Sequence, residues 1–203
     1  MFEVEMPSRR AFLALGSLLL WSASAGADES EIGRLLQGRD LAGAVEAARR
    51  DAEAGDPEAQ FNFALFHWHG VAVPQNFNEA FRWVTLAAIG GYPRAPKARA
   101  AMQETVDPPA RKKAMEWIRS RLQKAAEEGD DRALVLMSLS HAPEYGFPDA
   151  KDAYFWASLA VAAGRMEARR RRDALLKDLS PAEAAGVQER ASEWFRKWRK
   201  VKS

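Results

Sequence analysis

Cysteine is absent from the 203 residues, and histidine occurs only three times. Without thiols the chain can form neither a disulfide framework nor a thiolate-bound zinc site. A net charge of one sign is also nearly absent, because 30 Lys and Arg residues face 28 Asp and Glu residues. The resulting formal charge of +2 gives no indication of a partner. Stability must therefore come from a packed core.

Long hydrophobic runs are scarce, and the clearest one occupies residues 11–21. It is about half as long as the ~20 residues that a membrane-spanning helix needs. Because two arginines precede it and small residues follow it, we predict that residues 1–27 are an export signal cleaved after position 27. The residues that carry this signal are Arg9, Arg10, Ala25 and Ala27. The expected location is the periplasm or cell envelope, reached by the twin-arginine or the general secretory route, and an uncleaved anchor is the alternative.

The sequence repeats itself after 73 residues. Residues 80–91 return as residues 153–164, which pairs Trp83 with Trp156. Repeats at a fixed spacing are typical of folds in which each unit buries its apolar face against its neighbours. The Ala-, Leu-, Arg- and Glu-rich composition favours helices. The predicted fold class is therefore all-α, an α/α superhelix (solenoid) of helical hairpins.

Caps, prolines and glycines divide the chain into four segments. After the signal comes a capping helix pair (28–54), then a first unit (55–128) and a second unit (129–203), each with a hairpin and an extra helical pair. Asp56 is a candidate N-cap, and Ser180 with Glu183 forms a capping-box sequence. The predicted helices cover residues 31–37, 40–53, 57–69, 76–89, 93–103, 107–128, 130–141, 150–162, 165–177 and 181 onward.

Residues 55–91 resemble the Sel-one-like repeat, a relative of the tetratricopeptide repeat. The matching residues are Gly55, Ala59, Gly70, Val73, Pro74, Ala80, Trp83, Ala87, Ala88 and Gly91. The departures are Phe63-Ala64 for the family's Leu-Gly pair, His67 for its tyrosine and Ala72 for a loop glycine. A second, more divergent copy matches at Gly129, Ala133, Gly146, Pro148, Ala153, Trp156, Ala160 and Gly164. The resemblance implies a right-handed superhelix that has no chemistry of its own and presents a concave face to proteins or peptides.

The small and aromatic positions of both copies have a physical reason. Crossing helices approach to ~8–10 Å, so alanine keeps them close, while a tryptophan buries a large ring between hairpins. The residues predicted to pack the repeats are Ala59, Gly70, Ala80, Trp83, Ala87, Ala88, Gly91, Ala133, Ala153, Trp156, Ala160 and Gly164.

The sequence offers no candidate for catalysis, a metal or a cofactor. His67 and His69 are two residues apart on a predicted helix and point to nearly opposite faces, so they cannot share one ion. Nucleophile motifs, phosphate loops and zinc patterns are missing from the sequence. The arginines 169–172 would spread around a helix, so they predict a solvated surface and no nucleic-acid partner, with contact to an anionic envelope surface or an acidic partner as the alternative.

The predicted function is that of an exported, non-enzymatic scaffold for a protein or peptide partner. Weak candidates for partner contact are Asn62, Phe66 and His69 on the first repeat helix, with a core position as the alternative for Phe66. Two other functions stay open: an envelope enzyme or accessory acting on peptidoglycan or another polymer, and a membrane-surface protein held by the basic aromatic tail. Membrane contact is expected only through the signal or that tail, where Trp194, Phe195 and Trp198 otherwise dock on the preceding helix.

Overall fold

The computed structural model describes residues 31–202, which contain ten α-helices, three short 3-10 helices and no strand. The predicted export signal, with Arg9, Arg10, Ala25 and Ala27, lies outside the described residues. The helices are α1 (Glu31–Gln37), α2 (Leu41–Glu53), α3 (Pro57–His69), α4 (Phe77–Ile89), α5 (Ala95–Gln103), α6 (Pro108–Glu127), α7 (Asp131–Ser140), α8 (Ala150–Ala162), α9 (Arg169–Leu175) and α10 (Pro181–Lys202).

Side-chain caps determine where most of these helices begin. The N-caps of α2, α3, α4, α6, α7 and α8 each accept a hydrogen bond from a backbone N–H of the first turn; they are Asp40, Asp56, Asn76, Asp107, Asp130 and Asp149. The predicted capping box at α10 is confirmed, because Glu183 N donates to Ser180 Oγ and Ser180 N donates to Glu183 Oε2. These bonds satisfy backbone donors that the helices themselves leave unpaired.

The helices pack in the same order twice. In the first unit α4 packs against α3, α5 and α6, and in the second unit α8 packs against α7, α9 and α10. The α2 helix covers α3, and α6 covers α7, so the two units and the N-terminal pair share one hydrophobic core. The predicted all-helical repeat fold is confirmed. Within residues 31–202, no helix is both long and apolar enough to cross a membrane.

Two predicted helices differ from the structure. The helix expected from residue 93 begins at Ala95, after a turn at residues 92–94. The helix expected over 165–177 is wrong as a single element, because only the α9 segment is α-helical and a 3-10 helix flanks it on each side, at Met166–Ala168 and Leu176–Asp178. No side-chain cap fixes the start of any of these three pieces, and 3-10 turns are common at such helix ends.

The two repeated tryptophans each meet a tryptophan in the last helix of their unit. Trp83 is 4% exposed and meets Trp117 edge-to-face at 5.0 Å, while Trp156 is 6% exposed and meets Trp194 edge-to-face at 5.6 Å. Both pairs join the second helix of a hairpin to the last helix of its unit, α4 to α6 and α8 to α10. Each pair therefore closes one four-helix block.

The residues predicted to pack the repeats are buried alanines and tryptophans and positive-φ glycines. All of the alanines in the set are at most 8% exposed. Gly70 ends α3 in the left-handed region, with φ of 65°, and a Cβ there would lie only 3.0 Å from the Cβ of Gln75. The other two glycines, Gly91 and Gly164, also have positive φ. Glycine is the residue that adopts this conformation without steric cost.

Candidate functional site

A cleft of about 300 Å³ lies where the N-terminal pair, the first unit and the second unit meet. We call it the inter-unit cleft. Its walls come from the end of α2, the start of α3, the end of α4, the second half of α6 and the start of α7. Apolar lining is supplied by Leu86, Leu122, Ala125 and Leu136, and charged lining by Glu53, Arg121, Lys124, Glu128, Asp130 and Arg132.

Gln60 is the unusual residue of this cleft. Its side chain is 4% exposed, and its Nε2 donates to the Ala52 carbonyl at 3.3 Å. Its Oε1 atom is buried without a hydrogen-bond partner among the described residues. The repeat pairs Ala59 with Ala133 and hence Gln60 with Leu134, which is fully buried. An amide thus occupies a position where the second unit has an apolar side chain, although a buried acceptor without a partner costs about 1–3 kcal/mol.

Arg121 holds one wall of the inter-unit cleft in place. Its Nη2 donates to the Glu53 carbonyl at the end of α2, and its guanidinium lies 5.6 Å and 5.7 Å from the ring centroids of Trp83 and Trp117. Hydrogen bonds to the last carbonyls of a helix satisfy groups that the helix leaves unpaired. In the second unit the equivalent residue is Trp198, whose Nε1 donates to the Ala126 carbonyl at the end of α6. Each unit is therefore tied to the helix that precedes it.

Acidic and basic side chains both line the cleft. Asp130 accepts from the N–H groups of Arg132 and Ala133 and so caps α7. Lys124 and Glu128 form an exposed ion pair at 3.8 Å, which contributes little to stability. The rim of the cleft thus offers charges of both signs to a ligand.

The three residues predicted to contact a partner do not form this site. Asn62 is half-buried, His69 is exposed, and none of the three lines the inter-unit cleft. The prediction for Phe66 as a contact is wrong, because its side chain is 3% exposed and belongs to the core. The reason is that α3 packs against both α2 and α4, so two of its faces are covered. Sequence reasoning missed Gln60, which the comparison with Leu134 would have singled out.

His67 and His141 are packed side chains. The ring of His67 meets that of Phe63 edge-to-face at 4.7 Å, and burial lowers the pKa of His67 below its usual value. His141 is 6% exposed, and burial, with Arg119 next in effect, lowers its pKa to about 4. Within residues 31–202, no group of three or more His, Asp or Glu side chains could hold a metal ion. The tail aromatics are docked too, since Trp194 meets Trp156 and Trp198 is 5% exposed.

The chain is similar to a solved structure of a helical-repeat protein. No protein-family model and no curated protein matches the chain. Among solved structures, the crystal structure of a Sel1 repeat protein from Oxalobacter formigenes is 22% identical over 95% of this chain and 83% of that chain, with a TM-score of 0.34.

Proposed function

We propose that this chain is a helical-repeat scaffold without catalysis of its own, which binds an extended segment of a partner protein in the inter-unit cleft. The proposed setting is the bacterial cell envelope, and support for that setting comes from the N-terminal sequence alone. The observation that carries the binding proposal is the Oε1 atom of Gln60, a buried acceptor that the described protein leaves without a donor.

An extended peptide would supply the group that this oxygen lacks, once a rotation of the Gln60 side chain brings the buried Oε1 to the surface of the cleft. Its backbone N–H groups are unpaired, and the net gain from one hydrogen bond is about 0.5–1.5 kcal/mol, with the removal of an unsatisfied buried acceptor in addition. Apolar side chains of the peptide would lie on the partly exposed Ala125 and Leu136, and its charged side chains would meet Arg121, Arg132 or Glu128. Because the cleft is small, affinity should be moderate and should depend on few contacts.

Replacing Gln60 with leucine separates binding from folding. The Gln60→Leu variant carries the side chain found at position 134, so its free energy of unfolding should be unchanged or higher by up to about 1–3 kcal/mol. Its affinity for peptides selected from a random library on the wild-type protein should fall by roughly tenfold or more. Fluorescence polarisation measures the binding and urea unfolding measures the stability.

Two controls give this experiment a clear outcome. Asn62→Leu changes an amide on the same helix outside the inter-unit cleft and should leave peptide affinity unchanged. N-methylation of one peptide bond at a time should reproduce the loss at a single position, which identifies the N–H that reaches Gln60. Selection of no peptide, or equal affinity of wild type and Gln60→Leu, would contradict the proposal.

A further inference from the structure

The second unit contains an open cavity at a place where several of its side chains are smaller than those of the first unit. The cavity has a volume of about 440 Å³ and is lined by residues of α8, α9 and α10, together with Leu176 just beyond α9. The equivalent helices of the first unit are α4, α5 and α6, which pack in the same order. We call the space in the second unit the C-terminal cavity.

Three substitutions between the copies account for this space. The 73-residue shift pairs Thr85 with Ser158 and Ile89 with Ala162, and the four-residue insertion that aligns Trp117 with Trp194 pairs Met115 with Ser192. In the first unit these side chains are 0%, 2% and 2% exposed and belong to the core. In the second unit each is replaced by a smaller one, and Ala162 and Ser192 are exposed on the cavity wall.

Most of the exposed surface that lines the C-terminal cavity is apolar. Leu159, Ala191 and Phe195 line it, and Leu176 at its edge is 39% exposed. Four of the polar side chains donate hydrogen bonds within the protein: Ser158 to the Tyr154 carbonyl, Ser192 to the Gln188 carbonyl, Gln188 to the Tyr154 hydroxyl and Arg172 to Asp173. A ligand here would therefore gain chiefly from burying apolar surface.

The opening of the cavity along α10 is basic. An adjoining depression shares Ser192 and Phe195 with the cavity, and its remaining lining residues are Arg196, Arg199 and Lys200. No acidic side chain is among the residues that line this depression. The acid of the cavity itself, Asp173, is already paired with Arg172 at 2.7 Å. A basic depression thus lies beside the apolar cavity.

We infer that the C-terminal cavity binds a small amphiphilic anion, with an apolar chain in the space that Ile89 and Met115 occupy in the first unit and an anionic end at Arg196 and Arg199. The volume lies within the ~300–1,000 Å³ typical of small-molecule sites. The anionic end would form charge-assisted hydrogen bonds with the guanidinium groups, which are the stronger kind. This inference is independent of the inter-unit cleft, which lies at the other end of the second unit.

The test is titration of the full chain with three probes that share one apolar chain. Below their micelle concentrations, dodecanoate should bind saturably, dodecanol more weakly, and dodecyltrimethylammonium roughly tenfold or more weakly than dodecanoate, as measured by isothermal calorimetry. The double variant Ala162→Ile with Ser192→Met restores the side chains of the first unit and should lower dodecanoate affinity by roughly tenfold or more.

Charge variants and vesicles complete the test. Arg196→Gln with Arg199→Gln should remove the preference for dodecanoate over dodecanol, whereas Lys197→Gln, an exposed base that does not line the opening, should leave it intact. Urea unfolding of each variant shows that it is folded. The inference is overturned if dodecanoate does not bind saturably or if the filled variant binds it equally well. Binding to vesicles of anionic phospholipid without binding of free dodecanoate would also overturn it.

Discussion

Replacing Trp83 with alanine should lower the free energy of unfolding by about 3–5 kcal/mol, a large part of the ~5–15 kcal/mol that stabilises a typical domain. The ring is 4% exposed, meets Trp117 at 5.0 Å and Phe63 at 5.4 Å, and has the guanidinium of Arg121 over it. Truncation would remove these contacts and leave a cavity where α3, α4 and α6 meet. Because that cavity also borders the residue that holds the cleft wall, peptide binding should weaken as well.

Urea unfolding followed by far-ultraviolet circular dichroism measures this effect without relying on tryptophan emission. Trp156→Ala should have a cost similar to that of Trp83→Ala, because Trp156 occupies the equivalent place against Trp194. Val201→Ala is the control: this side chain is 60% exposed, so the change should stay within about 0.5 kcal/mol. A cost below about 1 kcal/mol for Trp83→Ala would show that the tryptophan pair does not close the block.

The fold could be predicted from the sequence because the two copies have alanine, tryptophan and glycine at the same positions, which indicates that each copy forms the same set of packed helices. Caps such as Asp56 and Asp107 act through bonds within one turn, so the helix starts that they mark were predicted within a residue or so. The stretch 165–177 has no such cap, and its helix was predicted too long. Local chemistry was thus sufficient for most boundaries.

The candidate sites depend on contacts between distant residues, which the sequence does not display. A hydrophobic pattern marks Phe66 as apolar but cannot say that it is buried when α3 packs against α2 and α4, since α3 is apolar on more than one face. The inter-unit cleft combines residues from Glu53 to Leu136. From the sequence, the C-terminal cavity could be predicted only by aligning Ser192 with Met115 across the four-residue insertion. At both candidate sites the two copies differ, with Gln60 in place of Leu134 and Ala162 in place of Ile89. Positions at which the copies agree indicate packing residues, whereas positions at which they differ indicate the candidate sites.

His141 gives the second unit a predictable dependence on pH. It lies at the end of α7 beside two arginines, of which Arg171 donates to Ser138 and Arg119 donates to the Ser140 and Phe147 carbonyls. Burial is the largest cause that lowers its pKa to about 4, followed by Arg119, while Asp152 and Asp149 act in the opposite direction and Arg171 lowers it slightly. The folded protein therefore keeps this imidazole neutral at pH values where an unfolded chain, with a histidine pKa of about 6.5, already binds a proton.

Lowering the pH from 7 to 4 should therefore reduce the free energy of unfolding by up to about 3 kcal/mol through this one side chain, since one pKa unit corresponds to about 1.4 kcal/mol. The loss begins near pH 6.5, where the unfolded state starts to bind the proton, and ends near pH 4, where both states carry it. His141→Gln removes the titration, so the difference between wild type and variant in urea unfolding across this range isolates it from the carboxylates. His69→Gln is the control at an exposed position; burial lowers the pKa of His69 as well, so this variant should remove a smaller part of the slope than His141→Gln. An identical pH dependence in wild type and His141→Gln would show that the imidazole is not held neutral by the fold.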